Sequence, residues 1–393
     1  NVEIKRKITT IIRKRLKLPQ KTKQFTDIRK APQIPLSSII LSLCLMPFLG
    51  IKSMLMLDCL NRLDRIKHLF PPLLWKRKMV CSDSTLQRVA RWLRASEAEA
   101  CLLSLLPFYR KLNLYAHRLH PGAPARRIGI MDGSCMGNHW VLGCALVGKD
   151  HLRYPAIMKG LPGQGHELEG AKQLIRQLPR LLRSYTPELL LYDPLAFTST
   201  VFQAVRENNM HILIKGRNPE FRDVLKDAKA LFDHGDKKTF ATYTDFDSSR
   251  LCRWKIEMTS DTFAGYPIRI VHLVEEYPKR NDRPPEEAWI VTTDFSLSPQ
   301  EIREAAHVRW SIENDCFKKL STLAATKRFH FKEQRPFMVM LRLFCFSLVA
   351  FELTVYMLKQ NDEDFQRFRQ GMKETTATVF IRLSEYMENA IFS

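Results

Sequence analysis

Acidic residues are scarce relative to basic ones in this sequence: 41 Asp and Glu stand against 62 Lys and Arg in 393 residues. The formal net charge is +21, and the pI is about 9.7. An excess of this size is more than solubility needs, and it indicates a polyanionic partner such as DNA or RNA bound through its phosphates. The hydrophobic content of 45% is ordinary, so the charge belongs to a folded body rather than to a disordered tail.

Cysteine motifs for metal binding are also missing. The nine cysteines are scattered, with no Cys-x-x-Cys pair and no Cys/His cluster at zinc spacing. This pattern indicates reduced, mostly buried thiols of a cytoplasmic protein and argues against a zinc site. The first residues are basic and interrupted, so no secretory signal is predicted. Internal repeats and low-complexity segments are not evident either.

Long charge-free hydrophobic runs are lacking. Residues 39–49 are too few to span a bilayer. Residues 336–358 are numerous enough, but Arg342 and Glu352 lie among them, which favours a buried helix over a transmembrane one. We therefore expect no membrane partner.

Residues 1–24 form a basic arm in which nine Lys and Arg residues accompany one acid, Glu3. Four isoleucines recur at helical spacing and predict an amphipathic helix: Ile4, Ile8, Ile11 and Ile12. Two interpretations remain open, an arm that grips phosphates and a solvated, frayed terminus.

Residues 25–120 have helical periodicity and are interpreted as a region for DNA binding or dimerisation. Ser82 to Ser84 provide N-cap candidates for a helix that buries Leu86 and Leu93. Arg88 and Arg91 are predicted on its outer face, where they either contact DNA or form a solvated surface.

Beyond a Pro- and Gly-containing linker, strands and helices alternate, which predicts an α/β fold with a mixed sheet covered by helices. The predicted core consists of residues 121–216 and 289–333 and is interrupted by a β-rich insertion at 217–288. A helical C-terminal region, 334–393, follows. The sequence Ser298-Pro299-Gln300-Glu301 predicts the start of the helix that bears Glu313.

Two apolar strand candidates end in aspartate. Strand alternation places Asp132 on the face of Ile128 and Ile130, and Asp193 on the face of Leu189 and Leu191. Acids in these positions lie at the sheet edge where open α/β sheets bind ligands. Two neighbouring carboxylates repel each other unless they share a cation, so Mg²⁺ is expected, with Glu313 as a third ligand.

Each acidic or basic candidate also has an ordinary explanation. Either aspartate could be only a turn former, and Arg309 with Glu313 could be a surface ion pair. Glu167 and Glu169 are interpreted as capping residues at a helix start, although one of them could reach the sheet edge. Two further cations are predicted to face DNA: Lys318 and Lys319.

The ordered set resembles the catalytic core of insertion-sequence DDE transposases, specifically the insertion sequence four type of the RNase H-like, retroviral integrase superfamily. The motifs that carry the resemblance are Ile128-Gly-Ile-Met-Asp132-Gly-Ser134, Leu190-Leu-Tyr-Asp193, Trp289-Ile-Val-Thr-Thr293 and Arg309-Trp310-Ser-Ile-Glu313. The sequence departs from the family pattern at three places. Ala306 stands where a tyrosine is expected, and Leu320 stands where a lysine is expected. After Asp193 the chain reads Pro194-Leu-Ala-Phe197, where relatives commonly carry a Gly-Tyr type turn.

The resemblance implies an RNase H-like core in which Asp132, Asp193 and Glu313 bind Mg²⁺, which Mn²⁺ can replace, and Arg309 assists the glutamate. Trp289 would stack on a flipped base near the cut, or it would simply pack on the sheet. The implied function is a cytoplasmic, nucleoid-associated prokaryotic transposase acting on double-stranded DNA, with terminal inverted repeats and target DNA as partners. A homodimer in a synaptic complex and no small-molecule substrate are expected. The alternatives are an RNase H-like nuclease without strand transfer and an inactive, transposase-derived DNA-binding protein.

Overall fold

The computed structural model describes residues 7–46, 51, 53–62, 82–149, 152–216, 221–233, 239–247, 250–278, 284–322 and 331–361. By its internal contacts the chain divides into two compact units. The first consists of Asn1–Tyr115, Gly133–Gly163 and Glu313–Ser393, and the second of Ala116–Asp132 and Gln164–Ile312. The fold class is mixed α/β, as predicted. The finer domain boundaries drawn from the sequence stay a prediction.

The α-helices are, in chain order, α1 (Leu18–Lys21), α2 (Leu36–Leu45), α3 (Met54–Arg62), α4 (Asp83–Trp92), α5 (Ala95–Leu103), α6 (Leu106–Lys111), α7 (Glu167–Leu182), α8 (Ser199–Glu207), α9 (Arg222–Asp233), α10 (Pro299–Val308), α11 (Lys318–Thr322) and α12 (Gln334–Asn361). Among the described residues, two segments are π-helical, Ile11–Arg15 and Ile312–Phe317.

The strands are β1 (Ile128–Met136), β2 (His139–Val147), β3 (Arg153–Leu161), β4 (Leu189–Tyr192), β5 (His211–Gly216), β6 (Thr239–Asp247), β7 (Arg250–Phe263), β8 (Tyr266–Glu276) and β9 (Glu286–Thr292). Strand β1 belongs to both units, because the boundary falls between Asp132 and Gly133.

The first unit is built around α12. This helix packs against α2, α4, α5 and strand β3. Arg342 lies in its apolar sequence and donates hydrogen bonds to the carbonyls of Met158 at 2.9 Å and Ala95 at 2.8 Å, and it forms an ion pair with Glu99 at 3.0 Å. This part-buried guanidinium is tolerated because protein oxygen atoms take the place of water as its hydrogen-bond acceptors.

Residues Gln334–Leu358 are long and apolar enough to cross a membrane by length and composition. An 18-residue window within them has a mean hydropathy of 1.9, and 94% of that window is buried inside the structure. This burial agrees with the core helix predicted from the sequence. In the described residues no other helix meets the same criterion.

Helix α4 begins as the sequence predicts. The hydroxyl of Ser82 accepts a hydrogen bond from the backbone N–H of Thr85, which caps the helix. Its buried face carries Leu86 and Val89, whereas Arg88 and Arg91 are exposed on the opposite face. Their contact with DNA stays a prediction.

The sheet of the second unit has the strand order β1-β4-β5-β9-β8-β7-β6. Strands β1, β4 and β5 are parallel, with Ile130 opposite Leu191 and Leu191 opposite Leu213. Helix α8 connects β4 to β5, as parallel neighbours require. In the first unit the order is β3-β2-β1, and β2 and β3 are antiparallel. This mixed sheet with flanking helices is consistent with the RNase H-like core that the resemblance implies.

The segment predicted as a β-rich insertion begins with helix α9 and continues with long strands. Strands β6, β7 and β8 are antiparallel, and β8 pairs with β9. Strand β9 in turn pairs with β5. The inserted strands therefore extend the sheet of the second unit, which the local sequence pattern did not reveal.

Helix α10 has the predicted start and a different end. Ser298 and Glu301 form a capping box, with Pro299 in the first turn. The prediction that this helix carries Glu313 is wrong, because α10 ends at Val308. The N–H of Trp310 donates to the carbonyl of His307, three residues back, which closes the helix with a tighter turn. Glu313 lies in the π-helical segment Ile312–Phe317.

Candidate metal centre

Asp132 lies on strand β1 and is 7% exposed. The alternating apolar residues before it, Ile128 and Ile130, are fully or almost fully buried. The same apolar row therefore carries this carboxylate to the end of the buried part of the strand. An acid at that position is costly unless its charge is balanced.

Asp193 follows the last residue of strand β4 and caps a short 3₁₀ turn, Pro194–Ala196. Its Oδ1 accepts a hydrogen bond of 3.1 Å from the backbone N–H of Leu195. Its Oδ2 lies 4.0 Å from Nη2 of Arg309. The register of β1 and β4 pairs Ile130 with Leu191, so both aspartates lie two residues beyond a paired position.

Glu167 is the third acid at this place, and it was interpreted as a capping residue from the sequence. It opens helix α7, and its Oε1 accepts a hydrogen bond of 3.1 Å from the hydroxyl of Tyr192. Tyr192 is the last residue of strand β4 and directly precedes Asp193. The tyrosine therefore holds the glutamate beside the two aspartates.

Asp132, Glu167 and Asp193 each offer a carboxylate oxygen, and these ligand atoms all lie within 4.8 Å of one another. Burial raises the pKa of the neighbouring Tyr192 well above its usual value, and the charges of Glu167, Asp193 and Asp132 raise it further. The hydroxyl of Tyr192 thus stands in a concentrated negative field. Three carboxylates in a part-buried site suit a hard divalent cation that takes oxygen ligands. This group can bind a divalent ion.

Arg309 and Trp310 lie beside the acids in the second unit. Arg309 is 7% exposed, and its guanidinium carbon lies 4.9 Å from the centre of the Trp310 ring. The ring of Trp310 is 46% exposed and Leu195, next to the Asp193 turn, is 56% exposed. A positive charge next to Asp193 and two exposed apolar side chains accompany the acid group. No role was predicted from the sequence for either Trp310 or Leu195.

Glu313 is not a member of this acid group, and the boundary between the two units falls between Ile312 and Glu313. Its predicted role as a metal ligand stays a prediction. The predicted convergence of Asp132 and Asp193 is observed, and their role in catalysis likewise stays a prediction.

Trp289 is 4% exposed and stacks on His272, with ring centres 4.4 Å apart and planes 17° apart. This packing matches the interpretation of Trp289 as a sheet residue. Lys318 is exposed, as expected of a cation that faces DNA. Lys319 differs from the expectation: it is buried, and its ammonium donates a 2.7 Å hydrogen bond to Glu352. The ammonium group of Lys319, which was expected to face DNA, is therefore paired with the carboxylate of Glu352.

No protein-family model matches the sequence. No curated protein matches it either. Among solved structures, the chain is similar to the piggyBac transposase in the cryo-EM structure of its synaptic complex with hairpin DNA. The identity is 11% and the TM-score is 0.39, and the alignment covers 100% of this chain and 82% of that chain. At so low a similarity, the function has to be inferred from the site itself.

Proposed function

We propose that this protein is a DDE-type DNA transposase, related to the insertion sequence four group, that cuts the ends of a mobile element and joins them to target DNA. One observation carries the proposal: three carboxylates, Asp132, Glu167 and Asp193, have ligand atoms within 4.8 Å of one another at the edge of a mixed sheet. Two of them are the aspartates that the sequence motifs single out. The net charge of +21 supports a polyanionic substrate.

The acid group suits phosphoryl transfer. Asp132, Glu167 and Asp193 would hold Mg²⁺ or Mn²⁺, with Glu313 as a further candidate ligand. A bound divalent ion would favour deprotonation of the attacking oxygen and neutralise charge on the leaving oxygen. Arg309, next to Asp193, carries the positive charge suited to a non-bridging phosphate oxygen.

Each step is an in-line displacement at phosphorus. In the first, a water oxygen bonds to phosphorus, the bond from phosphorus to the 3′ oxygen breaks, and the released 3′-hydroxyl takes up a proton. In the second, this 3′-hydroxyl loses its proton, bonds to phosphorus in the target strand and displaces that strand's 3′ oxygen. No covalent bond to the protein is formed. Joining two ends in one reaction implies at least a homodimer on DNA with terminal inverted repeats.

A nuclease without strand transfer is the second candidate, and one observation favours it. The three acids of the group all belong to the second unit, so the set is formed without Glu313. Hydrolysis by water requires only this set and one DNA substrate.

The test is cleavage of a duplex that carries the element's end, followed by a plasmid-integration assay, with Mg²⁺ or Mn²⁺. The wild type should nick the 3′ ends and give joined products, and Asp132→Asn should abolish both while leaving DNA binding largely intact. Glu188→Gln is the matched control, because Glu188 lies outside the acid group and pairs with Arg127. Breaks without joined product would assign the nuclease function. DNA binding without cleavage in the presence of either ion would indicate an inactive, transposase-derived DNA-binding protein.

A further inference from the structure

A second charged feature lies in the first unit, at a cleft of about 860 Å³. The N-terminal segment, helix α6 and the end of α12 line it. Five of the lining side chains are cationic, and the described lining includes no acid: Lys7, Lys14, Arg15, Lys17 and Lys111. We call this the basic cleft. It shares no residue with the acid group of the second unit.

The N-terminal segment is anchored rather than frayed over its described residues. Ile12, Leu16 and Leu18 are completely buried. The ammonium of Lys21 donates hydrogen bonds to the carbonyl and the hydroxyl of Ser104, at 2.9 and 2.8 Å. It also lies 5.5 Å from the centre of the Phe108 ring. These contacts fix the backbone that presents the cations of the cleft.

The backbone of this segment adopts two uncommon conformations. Ile11–Arg15 is a π-helical turn, and Lys17 has φ 54° and ψ 38°, in the left-handed region. A non-glycine residue has a steric cost there, and π-helical turns are rare and are frequently found at functional sites. The buried side chains hold both conformations, and Lys14, Arg15 and Lys17 are exposed as a result.

Five like charges around one cleft repel each other, so a polyanion would bind there with favourable energy. We propose that the basic cleft binds the sugar-phosphate backbone of duplex DNA, as a binding site apart from the acid group. The proposal rests on the proposed function, which requires the protein to hold DNA while the acids act on it. Apolar side chains within the cleft, such as Phe108 and Leu112, suit contact with deoxyribose.

The experiment measures the affinity of the full chain for a short DNA duplex over a series of salt concentrations. One variant carries Lys14→Gln, Arg15→Gln, Lys17→Gln and Lys111→Gln. The control removes the same charge at four exposed positions elsewhere: Arg180→Gln, Arg183→Gln, Lys226→Gln and Lys332→Gln. We expect the negative slope of log affinity against log salt to become shallower by about 3 to 4 in the cleft variant, because each lost phosphate contact removes about 0.9 from its magnitude.

A smaller change in the slope of log affinity against log salt is expected in the control. Equal changes in the two variants would overturn the proposal, because the effect would then follow net charge alone. An unchanged slope in the cleft variant would overturn it as well. A double charge reversal, Lys14→Glu with Lys111→Glu, gives a second measurement in case the quadruple variant folds poorly, and it should weaken binding at least about tenfold.

Binding to anionic phospholipid vesicles tests whether the basic cleft binds a lipid surface instead of DNA. Loss of vesicle binding in the cleft variant together with unchanged duplex binding would assign the cleft to lipid and overturn the proposal. Failure of the proposed function gives a different result. The wild type would then bind the duplex with a steep dependence of affinity on salt, and the cleft variant would show a shallower dependence. Neither protein would cleave DNA.

Discussion

In the second unit, Nε of Arg303 donates a 2.6 Å hydrogen bond to Oε1 of Glu275, and both side chains are at most 5% exposed. Nε2 of His307 lies 3.0 Å from each oxygen of the same carboxylate. Glu275 belongs to strand β8, and the other two residues belong to helix α10. This carboxylate therefore fixes the helix that directly precedes Arg309 to the extended sheet.

Arg303→Met should destabilise the protein by about 3 to 5 kcal/mol, because it leaves the buried carboxylate of Glu275 without the guanidinium that pairs with it. Urea unfolding followed by tryptophan fluorescence measures the change, since the Arg303 guanidinium lies 5.3 Å from the ring of the buried Trp254. The control is Arg176→Met. Arg176 pairs with Glu207 at 3.0 Å, but both side chains are more than 40% exposed, so its loss should cost less than about 1 kcal/mol. Equal losses of stability in the two variants would contradict a special role of the buried pair of Arg303 and Glu275.

Stability at acid pH should depend on Glu275. Burial alone would raise the pKa of this carboxyl, but His307 and Arg303 outweigh burial and lower it from 4.5 to about 2. Because the pKa is lower in the folded state, the stabilisation is present above pH 4.5 and is lost as the pH falls toward 2. It amounts to about 3 kcal/mol at about 1.4 kcal/mol per pKa unit.

Urea-unfolding free energies across that pH range measure this contribution. Glu275→Gln should be less stable at neutral pH and should lose less stability on acidification. The neighbouring Glu276 is exposed, and Glu276→Gln should retain the pH dependence of the wild type. A Glu275→Gln variant with an unaltered acid profile would contradict the assignment.

Glu167 and Glu169 provide a matched pair for the metal site. Both lie in the first turn of α7, but Glu169 is exposed and accepts from the amide of Gln173 at 2.9 Å. Addition of Mn²⁺ should raise the melting temperature of the wild type, because an ion that binds only the folded state stabilises it. Glu167→Gln should weaken the apparent Mn²⁺ affinity at least about tenfold. Glu169→Gln should leave it unchanged.

Glu313→Gln, measured in the same way, tests the ligand that the sequence motif predicts. Without divalent ions, Glu167→Gln should be no less stable than the wild type, because it removes one of three clustered negative charges. If Glu167→Gln keeps the Mn²⁺ affinity of the wild type, Glu167 is not a ligand of the metal site.

The fold could be predicted where local rules decide it. An apolar strand that ends in aspartate indicated both Asp132 and Asp193, and parallel pairing of β1 and β4 brings their ends together. The capping box at Ser298 likewise located the start of α10. The apolar rows that end in aspartate and the capping box each depend on residues close together in the sequence, so one sequence contains the information.

The remaining features depend on contacts between distant residues. An acid in the first turn of a helix is favoured by the helix dipole whatever else it does, so Glu167 carried no distinct signal. Its direction is set by the hydroxyl of Tyr192, 25 residues later. Lys319 was predicted to face DNA together with the adjoining lysine, Lys318. Its partner in the structure, Glu352, lies 33 residues further along the chain.

Lys319 and Glu352 also give a test in the first unit. Burial raises the pKa of Glu352, and burial would lower the pKa of Lys319 if the nearby carboxylate did not raise it. The two groups therefore depend on each other for their charge. Lys319→Met should destabilise the protein by about 3 to 5 kcal/mol, because it leaves the buried carboxylate alone. Combining it with Glu352→Leu should restore stability to within about 1 kcal/mol of the wild type.

The double variant also separates a structural role of Lys319 from a role in DNA binding. If Lys319 only balances Glu352, the double variant should bind a DNA duplex with the affinity and salt dependence of the wild type. The control is Lys318→Gln, which removes one charge at the exposed neighbouring position. Its negative slope of log affinity against log salt should become shallower by about 0.9 if Lys318 contacts a phosphate. A change of the same size in the double variant would show that Lys319 reaches DNA after all, because no loss of stability would remain to explain it.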